Sequence, residues 1–144
     1  MKKSDFIQAL DHASIEAAIA KAEQHTSGEI RVVVAHGAAI DAVAAARKEF
    51  DRLDMDETRE RNGVLIFIAP ESQTYAVIGD VGVHAKCGDA FWRELADVIG
   101  GHFKLGKFND GLVHGIAKAG KLLGEHFPRR GDDTNELANR VEVV

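Results

Sequence analysis

RERNGVLIFIAPESQTYAVIGDVGVH, residues 59–84, decides the fold. It reads as two β-branched, apolar strands joined by Glu71-Ser72-Gln73, a three-residue hairpin loop. Each outer end carries a polar cluster: Arg61-Asn62-Gly63 before the first strand, Gly79-Asp80 after the second. Pairing the strands as a hairpin brings those clusters together.

Upstream, residues 29–35 (EIRVVVA) form another buried strand. Between them, Asp41 opens a helix with Val43, Ala46, Phe50 and Leu53 inward. Strand, helix, strand implies a right-handed crossover and a parallel pair. Before this unit, Ile15, Ala18, Ile19 and Ala22 repeat at helical spacing over about residues 12–25, and Thr26-Ser27-Gly28 stops the helix. After the hairpin, residues 81–88 read as a glycine-punctuated turn. Asp89 then caps a helix with the stripe Phe91, Leu95, Val98, Ile99 and Phe103, weakened at Gly100-Gly101. Asn109 or Asp110 caps a last long helix with Leu112, Ile116, Ala119 and Leu123 inward. The order α-β-α-β-β-α-α predicts a three-layer α/β/α sandwich around a small mixed sheet.

Composition sets bounds. A chain of 144 residues is read as one domain, residues 1–128, with a polar tail over 129–144 from which Leu137, Val141, Val143 and Val144 can dock. A chain of this length buries about 70% of its unfolded surface and needs no staple to fold. The net charge of −5 disfavours nonspecific nucleic-acid binding. The one cysteine, Cys87, fits a reducing compartment and reads as an incidental thiol. Asp5, Gln8, Asp11 and His12 interrupt any signal-peptide core, and no apolar run approaches a membrane span of about 20 residues. The expected setting is cytoplasmic, without membrane insertion.

Topology places Ser27-Gly28-Glu29, Arg61-Asn62-Gly63 and Gly79-Asp80 at one end of the sheet, the amino end of the parallel strands. Open α/β sheets usually bind at the other end. Glu29 and Asp80 offer carboxylates, Asn62 a side-chain carbonyl, and the glycine turns backbone carbonyls. Such hard oxygen donors suit Ca2+ or Mg2+ and not Zn2+. Arg59 and Arg61 offer instead a bidentate anion site. A third reading is a plain Arg61–Asp80 ion pair, with the glycines merely turning.

Other motifs carry less. An EF-hand counted from Asp54 puts Arg59 where glycine is needed and Leu65 where the bidentate glutamate belongs; a solvated acidic helix end fits Asp51, Asp54, Asp56 and Glu57 better. His102, His114 and His126 recur every twelve residues. Twelve residues leave a helix about 120° off whole turns, so His114 and His126 share no face and read as scattered surface histidines. His84, four residues past Asp80, is the histidine nearest the candidate site. Trp92 reads as packing. The sequence contains no GxGxxG, Walker, GxSxG or HExxH motif. Asp132, Asp133, Asn135 and Glu136 read as a solvated acidic patch.

The ordered set Thr26-Ser27-Gly28-Glu29-Ile30, Arg61-Asn62-Gly63-Val64-Leu65-Ile66-Phe67, Ile78-Gly79-Asp80 with Gly82-Val83-His84, and Gly106-Lys107-Phe108 with Gly111-Leu112 resembles the TPM domain family. Asn135-Glu136-Leu137 resembles a motif of its bacterial members, and the likeness spans about residues 12–137. The resemblance implies an α/β/α sandwich. It further implies Ca2+ or Mg2+ bound through loop acids in some members, acid phosphatase activity and a link to photosystem II repair in a plant member, and roles in membrane-protein maintenance or receptor assembly in others. Asp80 and Asn62 fall on the family's Gly-Asp and Asn-Gly positions. Many members carry a signal peptide and a trailing membrane helix, and this sequence shows neither pattern. Ala138 stands where a proline is common, which implies a less rigid tail. The expectation is a divalent-cation-binding protein, Ca2+ before Mg2+, with Asp80, Asn62 and Glu29 as ligands, acting through an unidentified protein partner. The alternative is a metal-assisted phosphatase for phosphomonoesters, with Arg61 stabilising charge and Asp80 as ligand or nucleophile.

Overall fold

A computed structural model of the chain describes residues 10–129 and 141–144. In order these form α1 (His12–Glu23), β1 (Glu29–Val34), α2 (Ala42–Arg52), β2 (Gly63–Ala69), a 3-10 turn (Pro70–Ser72), β3 (Thr74–Gly79), α3 (Val81–Lys104), α4 (Phe108–His126) and β4 (Glu142–Val143). The strands make one mixed sheet in the order β3-β2-β1-β4. β1 runs parallel to β2 and β4, and β3 returns antiparallel to β2.

Every residue of β1 and β2 is buried, as a parallel pair covered on both faces requires. Strand alternation then sorts the side chains. Ile30, Val32, Val34, Val64, Ile66 and Ile68 pack with α1, α3 and α4 in the larger core. Val33, Leu65, Phe67, Ala76 and Ile78 pack with Ala46, Phe50 and Met55 beneath α2. The expected three layers follow. Leu112, Ile116 and Leu123 of α4 are completely buried, each contributing roughly 1.5–3 kcal/mol of apolar burial.

Local chemistry sets the boundaries. The Asp11 and Asp41 side chains accept N–H groups from Ser14 and Ala44, capping α1 and α2. Val43, expected inward, is 49% exposed. The buried arc of α2 centres on Ala46 and Phe50, and Val43 stands about 60° round the helix from Ala46. Residues 81–88, expected as a turn, are helical, and Asp80 is the cap. The helix breaks at Gly88, where φ is 71°, and resumes to Lys104 straight through Gly100-Gly101. Gly100 faces the Tyr75 hydroxyl, which donates to the Ala96 carbonyl at 3.2 Å; an added Cβ would lie 2.5 Å from that oxygen. Neither Asn109 nor Asp110 caps α4, which starts at Phe108. The Asn109 side chain instead accepts the Asp11 N–H at 2.9 Å, tying the starts of α4 and α1 together.

At the far edge, Val141 is buried and β4 pairs with Val33 and Val34. Arg31, 5% exposed, reaches Glu142 at 2.8 Å. Leu137, the Asn135-Glu136-Leu137 motif, the acidic patch from Asp132 and the first nine residues lie outside the described residues. Among the described residues no helix is long and apolar enough to cross a membrane.

Candidate functional site

The sheet register brings the three polar clusters to one end. Glu29 opposes Gly63, and Val64 opposes Gly79. The Asp80 N–H donates to the Gly63 carbonyl at 2.9 Å. Asp80 then turns the chain from β3 into α3. Its Oδ1 accepts the Val81 N–H at 2.8 Å, satisfying one of the orphan donors of the helix start.

Arg61 closes on the same carboxylate as a fork. Nε donates to Oδ2 at 2.5 Å and an Nη to Oδ1 at 2.8 Å. Hydrogen bonding to Asp80, followed by its charge, makes the guanidinium hold its proton still more tightly. Of the readings left open by the sequence, the ion pair is the arrangement adopted. Asp80 is nearly buried while the Arg61 side chain is 47% exposed. The Arg61 backbone is left-handed, with φ of 52°. An ordinary side chain in that conformation costs about 1–2 kcal/mol. The Arg61 carbonyl accepts the Gly82 N–H at 2.9 Å. A Cβ on Gly82 would stand 2.3 Å from the Glu60 carbonyl oxygen and 2.6 Å from that of Arg61, so only glycine lets α3 rest on this loop.

Asn62 and Glu29 sit in two neighbouring clusters. Asn62, 1% exposed, donates from Nδ2 to Ser27 Oγ at 3.1 Å and Glu60 Oε2 at 3.3 Å. The Ser27 hydroxyl donates to the same Glu60 oxygen at 2.6 Å. Asn62 thereby clamps the start of β2 to the turn before β1. Glu29 lies buried against Glu23, whose Oε2 accepts the Ile30 N–H at 2.9 Å. Burial first, then the charge of Glu29, push the Glu23 carboxyl up from 4.5 to about 8.

A cleft of about 420 Å³ opens beside the Arg61–Asp80 pair. Arg47 and Asp51 reach it from α2, Asp56 from the following loop, and Val81 and His84 from α3; Asn62 and Glu29 lie outside its lining. The His84 ring stacks obliquely on Trp92 at 4.9 Å. Asp51 and Asp56 belong to the acidic run that fails as an EF-hand and reads from sequence as a solvated helix end, yet both line the cleft. Their signal was the position of that acidic run immediately before Arg61. Among the described residues no three His, Cys, Asp or Glu side chains are grouped closely enough to hold a metal ion as they stand. A larger groove of about 770 Å³ between α1 and α4 has mostly apolar walls, including Ala17, Ala18, Val113 and Ala117, so the polar chemistry resides in the smaller cleft. Cys87 is half-buried, and burial, then Glu125, push its thiol up, consistent with an unreactive side chain.

A family model described as the TPM domain matches residues 1–122. The NMR structure of the BA42 protein from the psychrophilic bacterium Bizionia argentinensis resembles this chain with a TM-score of 0.87 and 41% identity, over 92% of each chain. The N-terminal domain of a P. gingivalis protein matches with a TM-score of 0.67, over 84% of this chain and 82% of that one; at 16% identity the likeness is one of fold alone. No curated protein matches the sequence.

Proposed function

The chain belongs to the TPM domain family, and on that footing we propose that it binds a divalent cation, Ca2+ before Mg2+, in the cleft of Asp51, Asp56 and Asp80 and acts through a protein partner. The observation that carries this reading is the nearly buried Asp80 carboxylate, already engaged by a cationic group, on a cleft that Asp51 and Asp56 also line; the three are too far apart to share an ion as they stand, so binding requires the segments that carry them to close on Asp80. The donors are hard oxygens, which fit Ca2+ and Mg2+. Their spread over α2, a loop and the β3–α3 junction favours Ca2+, which accepts irregular shells where Mg2+ demands a near-ideal octahedron.

A bound cation would supply the positive charge that Arg61 now provides to Asp80. Arg61, half-exposed, exchanges Asp80 for solvent in that state, while Asn62 holds the loop that carries it. The freed guanidinium lies beside Val81, which is 60% exposed on the same cleft. Charge and apolar surface presented together give a partner something to read.

Ca2+ titration calorimetry tests the proposal. A dissociation constant on the order of 10⁻⁵ to 10⁻³ M is expected for so few carboxylates. Asp80→Asn should weaken binding about tenfold or more, and Arg61→Ala, which removes the competing cation, should strengthen it. No heat at millimolar Ca2+, or unchanged binding in Asp80→Asn, defeats the proposal. Arg47, Arg61 and His84 on the same cleft favour the second reading, a metal-assisted phosphatase for phosphomonoesters. Equal phosphomonoester turnover by the wild type and Asp80→Asn would end it.

A further inference from the structure

We infer that His102 and His114 together hold a borderline transition-metal ion, Cu2+ before Ni2+ or Zn2+, at a site separate from the acidic cleft. The two histidines come together because α3 and α4 pack closely at glycines. A Cβ on Gly111 would lie 3.0 Å from the His102 Cβ, and one on Gly115 2.7 Å from Ile99. Across that seam His114 Nδ1 stands 3.0 Å from His102 Nε2, with the rings nearly perpendicular and their centroids 4.7 Å apart.

The hydrogen bonds fix the tautomers. His102 Nδ1 lies 2.8 Å from the Val98 carbonyl, which can only accept, so Nδ1 carries the proton. His102 Nε2 therefore presents its lone pair to His114, whose Nδ1–H donates to it. Metal-ligating histidines almost always have their second ring nitrogen held by a carbonyl or carboxylate, and the Val98 carbonyl already does this for His102.

The observed 3.0 Å is the length of the N–H···N bond itself, with donor and lone pair aimed along the line between the two nitrogens. The rings must therefore turn for two lone pairs to converge on one ion, and the exposed His114 side chain has room to do so. Among first-row divalent ions an imidazole pair holds Cu2+ most tightly. Binding moves the His114 proton from Nδ1 to Nε2 and releases none; His114 is exposed, so that nitrogen and the remaining coordination positions can meet water. Nitrogen donors of this kind suit Ni2+, Cu2+ and Zn2+, whereas the cleft offers oxygens.

The test is a titration of NiCl2 into the full chain, followed by the paramagnetic broadening of backbone amides in 1H–15N spectra. Broadening should begin around residues 102 and 114 and persist in excess Ca2+. His102→Gln and His114→Gln should each raise the Ni2+ midpoint at least tenfold, while His126→Gln leaves it unchanged. His114 is exposed, so its replacement spares the core, and a thermal melt checks both variants. Earliest broadening elsewhere, or an unchanged midpoint in the two variants, overturns the assignment.

Discussion

Replacing Glu23 by glutamine should convert a pH-dependent stability into a flat one. The Glu23 carboxyl titrates in the folded protein at about 8, against 4.5 ordinarily, because it is buried and lies against Glu29. Between those values the folded chain keeps a proton that the unfolded chain has released. Stability from this group is therefore whole below about pH 4.5 and is lost steadily as pH rises to about 8. The slope is about 1.4 kcal/mol per pH unit, so from pH 5 to pH 7 the loss is about 3 kcal/mol. Glutamine reproduces the protonated form. Its carbonyl can accept the Ile30 N–H that Glu23 Oε2 accepts at 2.9 Å, and its amide can donate to Glu29. Urea unfolding of both proteins at pH 5, 6, 7 and 8 reads the effect. The two should be nearly equally stable at pH 5, with Glu23→Gln ahead by about 3 kcal/mol at pH 7. Taking the difference cancels histidine titration common to both. A difference that does not change with pH would refute the reasoning, because the extra proton would then not reside on Glu23.

Two other substitutions probe the frame around the cleft. Glu142→Ala strands the Arg31 guanidinium, whose side chain is 7% exposed, and should cost about 3 kcal/mol in urea unfolding; adding Arg31→Met should recover most of the loss. Gly82→Ala drives a Cβ into two backbone carbonyls that cannot rotate away, and should lower stability by about 2 kcal/mol or more in a thermal melt.

The strands and layers were legible because their signals are long and redundant: β2 is apolar throughout, β1 is apolar and β-branched apart from Glu29 and Arg31, and α4 repeats Leu112, Ile116, Ala119 and Leu123 on one face. The meeting of Arg61 with Asp80 was also legible, since crossover handedness and hairpin return leave little choice of where those ends lie. Local propensity misled where tertiary contact overrode it. Gly82 reads as a helix breaker, yet it stands in the first turn of α3 because the loop at Glu60 and Arg61 passes too close for any Cβ. With the helix starting at Val81 instead of after Asp89, Asp80 takes the cap position. Asp51 and Asp56 looked like solvated charge because nothing in a one-dimensional pattern says which side of a helix end faces a cleft. His102 and His114 read as scattered because they fall on separate helices and no periodicity tells which faces meet; a turn at Gly106 folds the second helix back beside the first. β4, two residues long, carries no periodicity to read.

The break at Gly88 makes α3 a jointed arm. Residues 81–87 form a short rod whose front rests on the Arg61 loop through Gly82 and whose Val83 enters the core, while residues 89–104 are anchored by Phe91, Leu95 and Ile99. Gly88 is solvent-exposed, and a side chain there would touch nothing, so the joint is not wedged by packing. The short rod therefore takes its direction from the Arg61 loop and from Val83, and the long one takes its own from the core. The elbow thus divides α3 into about two turns that belong to the cleft and a longer rod that carries His102 to its seam with α4.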